Sequence, residues 1–372
     1  MLVARSLADR PSAGRGFSLV ELLVAMVIGL FLIGGTTMVF LGNVRSAELG
    51  QAVASLQANA RYALDAIAAD IRAAGYRGCA SVADTPFLVS TDDAPLDASR
   101  PDASALVGAR IASDGWKPSA PVGYTAPGGR AAPVVGTDAL MVQYGVAPGE
   151  ALRASMSSTS GTLAIDGTMA GLETGDLALV ADCSGAELFE VSARTVRSSG
   201  TTLQPVEALS RRYARDPRYP KGTLVMPFTA VIYYVGDSGR VNRTGDAIRS
   251  LYLQTLPFDV TDNPPIELVE GVDQLRLAFG VRESDGDLRF LRADDADFDA
   301  ARASSVRVGL LMSSLERLDD GAVPPRFSLA GETVLREGET GAQAFYPADR
   351  RLRIGFERSV TVRNRALQEH NT

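Results

Sequence analysis

The chain is short of the side chains that most often do chemistry. Its single histidine, His370, stands two residues from the end of the 372, so the inventory for a histidine dyad, a His-rich metal site or a Ser-His-Asp triad is missing. Two cysteines, Cys79 and Cys183, are the whole thiol supply, far apart and without CxxC or metal-like spacing. In a cytosolic protein such a pair reads as buried thiols, and in an oxidising compartment as disulfide partners. The net charge of -7 argues against a nonspecific grip on nucleic acid or anionic headgroups. The regular alternation of strand and long helix that a doubly wound domain requires is also absent.

What is present gathers at the N-terminus. Leu22 to Leu41 carries no charged side chain over twenty residues, and at about 1.5 Å each they span roughly 30 Å, the thickness of a bilayer core. Arg5, Arg10 and Arg15 stand in front of it against Asp9, a bias that keeps the N-terminus cytoplasmic and sends the rest outward. A secretory signal peptide has the same order, with its cut after the apolar run. Ser46 and Ala47 in GNVRSAELGQ offer such a site, although the apolar run is longer than the usual signal core. Glu21 separates the two readings, because a carboxylate at the edge of an apolar helix is costly unless paired or held near the interface.

The stretch RGFSLVELLVAMVIGLFLIGG resembles the class III signal of type IV prepilins and type II secretion pseudopilins, with Gly16 before the cut, Phe17 after it and a glutamate at the fifth mature position. The resemblance implies a membrane aspartyl peptidase that cuts after Gly16 and methylates the new amine of Phe17, leaving the apolar helix in the product and Glu21 as the assembly glutamate. An amine at Phe17 and a carboxylate at Glu21, one helical turn apart or on neighbouring subunits, would neutralise each other in low dielectric. The alternative for Glu21 is a tolerated interface charge. Gly29, Gly34 and Gly35 permit either close helix packing or local unwinding, and the proline breaker of many major pilins is absent.

Apolar periodicity continues through Leu49, Val53, Leu56, Ala60, Leu64, Ile67 and Ile71, predicting an amphipathic continuation of one long helix from about Ser18 to Ala74. Gly75 and Gly78 end the pattern in RAAGYRGC. Here the chain resembles the PilW-type minor pilins, in which a similar GYRGC follows the helix. LVEGVDQLRLAFGV, Leu268 to Val281, SSVRVGLLMSS, Ser304 to Ser314, and RRLRIGFERSVTVRNRAL strengthen the likeness.

Strands are expected at Ala139–Tyr144, Leu177–Ala181, Leu188–Val191, Leu224–Tyr234, Ser250–Leu253, Gln274–Val281, Val306–Leu311, Ser328–Leu335 and Leu352–Val362, on β-branched and aromatic content between polar joints. The expected class is α+β: a long N-terminal transmembrane and amphipathic helix packed on an enlarged, mainly antiparallel, pilin-like head. The expected divisions are a leader at 1–16, a membrane part at 17–42, an amphipathic part at 43–75 and a head at 76–372, loop-rich over 80–137. Trp116 is read as anchoring that excursion, with a binding aromatic as the alternative. If the head crosses the membrane, a Cys79–Cys183 bond would tie the helix base to the strand DLALVAD, worth roughly 4 to 5 kcal/mol by chain entropy; two separate buried thiols are the other reading.

Three charged stretches invite chemistry and have plainer readings. Asp294, Asp295, Asp297 and Asp299 suggest calcium, but the spacing is not that of an EF-hand, which favours a solvated loop. DGDLR, near Asp285, reads as a turn between strands. Arg211, Arg212, Arg215, Arg218 and Lys221 with Tyr213 and Tyr219 suit a nucleic-acid strand, a subunit interface or a solvated surface. No metal, cofactor or catalytic residue is assigned.

The function the resemblance implies is a minor pilin that helps initiate or cap type IV pilus assembly, in support of motility, attachment or DNA uptake. Its implied partners are other minor and major pilins, the inner-membrane assembly platform, the prepilin peptidase and membrane lipid, with nucleic acid not expected as a direct ligand. It would be a single-pass inner-membrane protein, N-terminus cytoplasmic and head periplasmic, assembled into or at the tip of the pilus. A type II secretion minor pseudopilin is the nearest rival. A membrane-anchored periplasmic enzyme, confined to carboxylate chemistry, is the rival from another class.

Overall fold

A computed structural model describes residues 16–80, 85–92, 94–101, 103–215, 222–283, 286–317, 326–342 and 344–366. Helix α1, Leu19–Ala73, is followed by strands and a short helix α2, Arg363–Ala366. The strands are β1 Phe87–Ser90, β2 Leu106–Ala112, β3 Gly115–Lys117, β4 Asp138–Gly145, β5 Glu150–Ala154, β6 Leu163–Ile165, β7 Leu177–Asp182, β8 Gly185–Arg197, β9 Gly200–Pro205 and β10 Leu224–Val241. The remainder are β11 Ala247–Thr255, β12 Ile266–Glu270, β13 Val272–Arg282, β14 Leu288–Leu291, β15 Ala303–Arg317, β16 Arg326–Leu329, β17 Glu332–Arg336, β18 Ala344–Tyr346 and β19 Arg351–Thr361. The chain divides into two units, Met1–Ala54 and Ser55–Thr372, and α1 contributes residues to each.

In the first unit the described residues form the apolar part of α1, whose side chains are exposed along its length. In the second, the amphipathic stripe turns inward. Leu56, Ala60, Ala63, Leu64, Ile67, Ala68 and Ile71 are buried in one core with Leu140 and Val142 of β4, Val231 and Val235 of β10, Leu275 and Leu277 of β13, and Val306, Val308 and Leu310 of β15. The alanines let the helix backbone lie close to the sheets, and each fully buried Ile or Leu contributes about 1.5 to 3 kcal/mol. The helix ends where Gly75 takes φ +69°, a left-handed cap residue for which a Cβ is unfavourable; its N–H reaches the carbonyl of Gln143 at 2.8 Å.

The largest sheet runs β1-β8-β9-β6-β5-β10-β4-β2-β3, with β7 bridging β8 and β10 and with β11 and β12 added beside β10. A second sheet is ordered β14-β13-β15-β19, and a third β16-β17-β18. Pairing is antiparallel except between β1 and β8 and between β17 and β18. The α+β class with a mainly antiparallel head is therefore what the chain adopts.

One expected strand is corrected by the structure, and one loop-rich segment holds short strands among its loops. Residues 80–137, expected to be loop-rich, contain β1, β2 and β3, and β2 is mostly buried between β3 and β4 in register from Leu106↔Val142 to Arg110↔Asp138. Its short apolar run was hidden among Pro, Gly and Asp. Ser328–Leu335 is a hairpin, not one strand: Ala330 and Gly331 take φ +50° and +82° and Leu329 pairs with Glu332, the two-residue turn whose twist suits a hairpin.

Two charge clusters are enclosed in the head. Asp138 accepts from the guanidinium of Arg276 at 2.9 Å and from the backbone N–H of Leu277 at 2.9 Å, while Arg110 and Arg276 both reach Glu332 of β17, at 2.5 and 3.5 Å. Asp273 and Asp349 are bound by Arg351 and Arg353 over 2.6 to 3.3 Å with almost no solvent access. These bonds join β17 to β2 and β13, and β19 to β13, across sheets that share no backbone ladder in the first case.

Cys79 and Cys183 are joined by a disulfide, with Cα atoms 4.6 Å apart and 104 residues of sequence between them. Both are exposed, so dithiothreitol should reduce the bond in the folded protein. The Cys79→Ser/Cys183→Ser double variant should lose roughly 4 to 5 kcal/mol in urea unfolding of the detergent-solubilised chain.

Burial opposes ionisation of Glu332, but Arg276, Arg110 and Arg292 outweigh it and hold its carboxyl below the usual range. At Asp349 burial is likewise outweighed, here by Arg353 and the Arg351 N–H. A depressed acid stabilises the fold above its unfolded pKa, about 4, and that contribution fades as pH falls through the folded value. The melting temperature should thus be flat near neutrality and fall below about pH 4, with a shallower fall in Glu332→Gln, by scanning calorimetry.

Candidate assembly region

The first turn of α1 organises the residues singled out in the sequence. Ser18 is its N-cap: the Ser18 Oγ accepts the backbone N–H of Glu21 at 3.1 Å, and Glu21 Oε2 accepts the backbone N–H of Ser18 at 3.2 Å and its hydroxyl at 3.4 Å. This reciprocal capping box satisfies two donors that a helix start leaves unpaired, and it sets a negative charge at the positive end of the helix dipole. The box is legible in the sequence as Ser-x-x-Glu, and it gives Glu21 a local role besides assembly or a tolerated charge. Beside it Phe17 is 87% exposed, and Gly16 is exposed with open space where a Cβ would stand. Residues 1–15 of the expected leader lie outside the described residues.

Along the apolar run Leu30, Phe31, Leu32 and Ile33 stay more than half exposed. Thr36 and Thr37 donate their hydroxyls to the carbonyls of Leu32 and Ile33 at 2.9 and 2.7 Å, which removes the cost of polar groups in an apolar setting. The helix passes through Gly29, Gly34, Gly35, Ser46 and Ala47 without a break. This is one helix long and apolar enough to cross a membrane.

In the head, Asp70 is the polar anchor of the amphipathic part. It accepts the hydroxyl of Tyr144 on β4 at 2.8 Å and that of Tyr233 on β10. Burial, with Asp70 beside them, pushes both phenols well above their ordinary range. Asp65 meets Arg358 of β19 near the surface. Asp70 stands next to Ile71 of the apolar stripe in the sequence, but its partners come from strands 74 and 163 residues away.

The other charged stretches are largely paired. Asp294 and Asp295 face Arg292, Asp297 faces Arg289, and Asp299 meets Arg100 at 2.7 Å while capping a short turn at Ala301. Among the described residues no group of three potential ligands could hold a metal ion. Arg211 binds Asp182 at 2.8 Å and lies over the ring of Tyr213, whose hydroxyl donates to the buried Glu187. Arg218, Tyr219 and Lys221, like Asp285 and His370, lie outside the described residues. Trp116 packs by its ring against Tyr124 at 5.4 Å on one face of the main sheet.

A capped, uncovered apolar helix and, in its own unit, a mainly antiparallel head gripping the helix end have the make-up of a type IV pilin. Residues 12–37, which contain Gly16, Phe17 and Glu21, match the family model described as prokaryotic N-terminal methylation motif. Residues 232–364, from within β10 to α2, match the one described as type IV pilus-assembly protein W. The two matches, which cover part of the chain, support a PilW-type type IV pilin with a part in pilus assembly. No curated protein matches the chain.

Asp70→Ala should strip the hydroxyls of Tyr144 and Tyr233 of their acceptor and cost about 1 to 3 kcal/mol. Asp65→Ala, at the exposed pair, should cost no more than about 1 kcal/mol. Urea unfolding of both variants in the same detergent measures the difference.

Proposed function

We propose that this chain is a minor pilin that is processed after Gly16, carries a methylated amine on Phe17, and helps to initiate or cap a type IV pilus. The observation that carries the reading is the uncovered apolar surface of α1 from Leu19 to Leu41. An apolar surface of that length needs lipid or other apolar helices around it, and a pilin subunit has the first before extraction and the second after it. Glu21 is the assembly residue of this reading. In the single chain its carboxylate is occupied by Ser18; in a bundle of like helices it would exchange that partner for the free amine of a neighbour's Phe17, since an amine and a carboxylate buried together cost less than either alone.

Anchoring follows the same reading. Arg5, Arg10 and Arg15 hold the N-terminus in the cytoplasm, α1 crosses the inner membrane once, and the head folds in the periplasm, where the Cys79–Cys183 bond is chemically at home. The partners are other minor pilins, the major pilin, the prepilin peptidase and the inner-membrane assembly platform. The role is structural, not catalytic: Asp138, Glu332, Asp273 and Asp349 are engaged by arginines, and the buried Glu187 is held by Ser90, Ser210 and Tyr213. A head of this size on every subunit would hinder repetition along a filament, which favours a place at the start or tip.

N-terminal sequencing and intact mass of the chain from native membranes, with and without the prepilin peptidase, test the proposal. The expected result is an N-methylated Phe17 that disappears in the peptidase-deficient strain. A chain left uncut in both strains, or cut near Ser46 or Ala47 independently of that peptidase, would overturn it. Co-purification with pilus or with type II secretion components then separates pilin from pseudopilin.

A further inference from the structure

A cleft of about 500 Å³ opens in the head beside the first residues of β7, between the turn that precedes it and the end of β11. That volume is in the range of built ligand sites. Leu172, Leu177, Phe228 and Leu256 make its walls, and Val146, 38% exposed, stands at its rim. Among the described residues, two charged ones line it, Asp176 and Glu190, both carboxylates. Asp176 stands immediately before β7 and Glu190 lies on β8: Leu177 pairs in register with Glu190, and the carbonyl of Asp176 accepts the N–H of Val191. Asp176 accepts the backbone N–H of Glu173 at 2.6 Å, and Glu190 the hydroxyl of Thr91 at a long 3.5 Å. Neither forms an ion pair with an arginine or lysine among the described residues, whereas Asp138, Asp273, Glu332 and Asp349 each do.

Among the described residues the apolar cleft carries two negative charges and no positive one, and is complementary to a cation on an apolar stem. Low-dielectric walls focus the field of the two carboxylates, and methylene groups cover apolar surface while a charged head reaches past them. We propose that the cleft of Asp176 and Glu190 receives an arginine or lysine side chain of a protein partner. The walls take the stem, and the two carboxylates take the charged head through charge-assisted hydrogen bonds.

The test uses the full chain in neutral detergent and the peptide acetyl-Gly-Leu-Arg-Leu-Gly-amide, with citrulline in place of arginine as the uncharged isostere, by isothermal titration. The arginine peptide should bind roughly tenfold more tightly than its isostere, and the gap should shrink with added salt. Asp176→Asn/Glu190→Gln keeps an acceptor oxygen for Glu173 and Thr91 and should abolish the gap. Val146→Trp, at an exposed rim position, should weaken both peptides without changing either charge. Equal affinities, no binding of the arginine peptide, or a gap that survives the double substitution would overturn the proposal. Butylguanidinium binding as tightly as the peptide would mark a site for free small cations and overturn the assignment to a protein partner.

Discussion

The head depends on the burial of one helical stripe. Leu56, Leu64, Ile67 and Ile71 enter the same core as the inward residues of β4, β10, β13 and β15, so the end of α1 is the body against which two separate sheets close. Each sheet has an apolar face that must be covered; the helix covers both at once. Burial alone is non-directional, and rotation of the helix about its axis is limited by Asp70, whose acceptor oxygens hold tyrosines from two neighbouring strands.

The enclosed charges act on specificity where the apolar core does not. Asp138, Arg276, Arg110 and Glu332 connect the hairpin of β16 and β17 to the body of the head, and Asp273 with Arg351 and Arg353 connects β13 to β19. A buried ion pair gains little over well-packed apolar residues, but separating its partners leaves a charge without water. The clusters therefore penalise wrong dockings of the small sheet more than they stabilise the right one. The cleft of Asp176 and Glu190 is the contrast, with carboxylates that meet backbone and hydroxyl donors and, among the described residues, no arginine or lysine.

The apolar half of α1 obeys a different solvent. Its hydroxyls are turned back on its own carbonyls and its first donors are closed by Ser18 and Glu21, so little backbone polarity is left uncovered where water would be excluded. A proposed role for Glu21 in assembly and its visible role as a capping residue are compatible, because one carboxylate can serve the helix start until a better-placed cation arrives.

Local periodicity and composition determined the long helix, its membrane-like half, its glycine end, the α+β class and the positions of the longer strands, because those depend on neighbours within a few residues. The Ser-x-x-Glu box was within reach of the same reasoning. What only the tertiary structure decided are matters of distant pairing. β2 sits in a segment whose composition spoke for loops and becomes a strand because β4 offers it a ladder. Ser328–Leu335 folds back at Ala330 and Gly331, which no alternation of side chains announces. Arg276 finds Asp138 and Tyr233 finds Asp70 across 138 and 163 residues, and Asp176 and Glu190 share a cleft only because β7 and β8 lie side by side. A one-dimensional pattern records which residues prefer burial; which buried residues meet is set by how the sheets close on the helix.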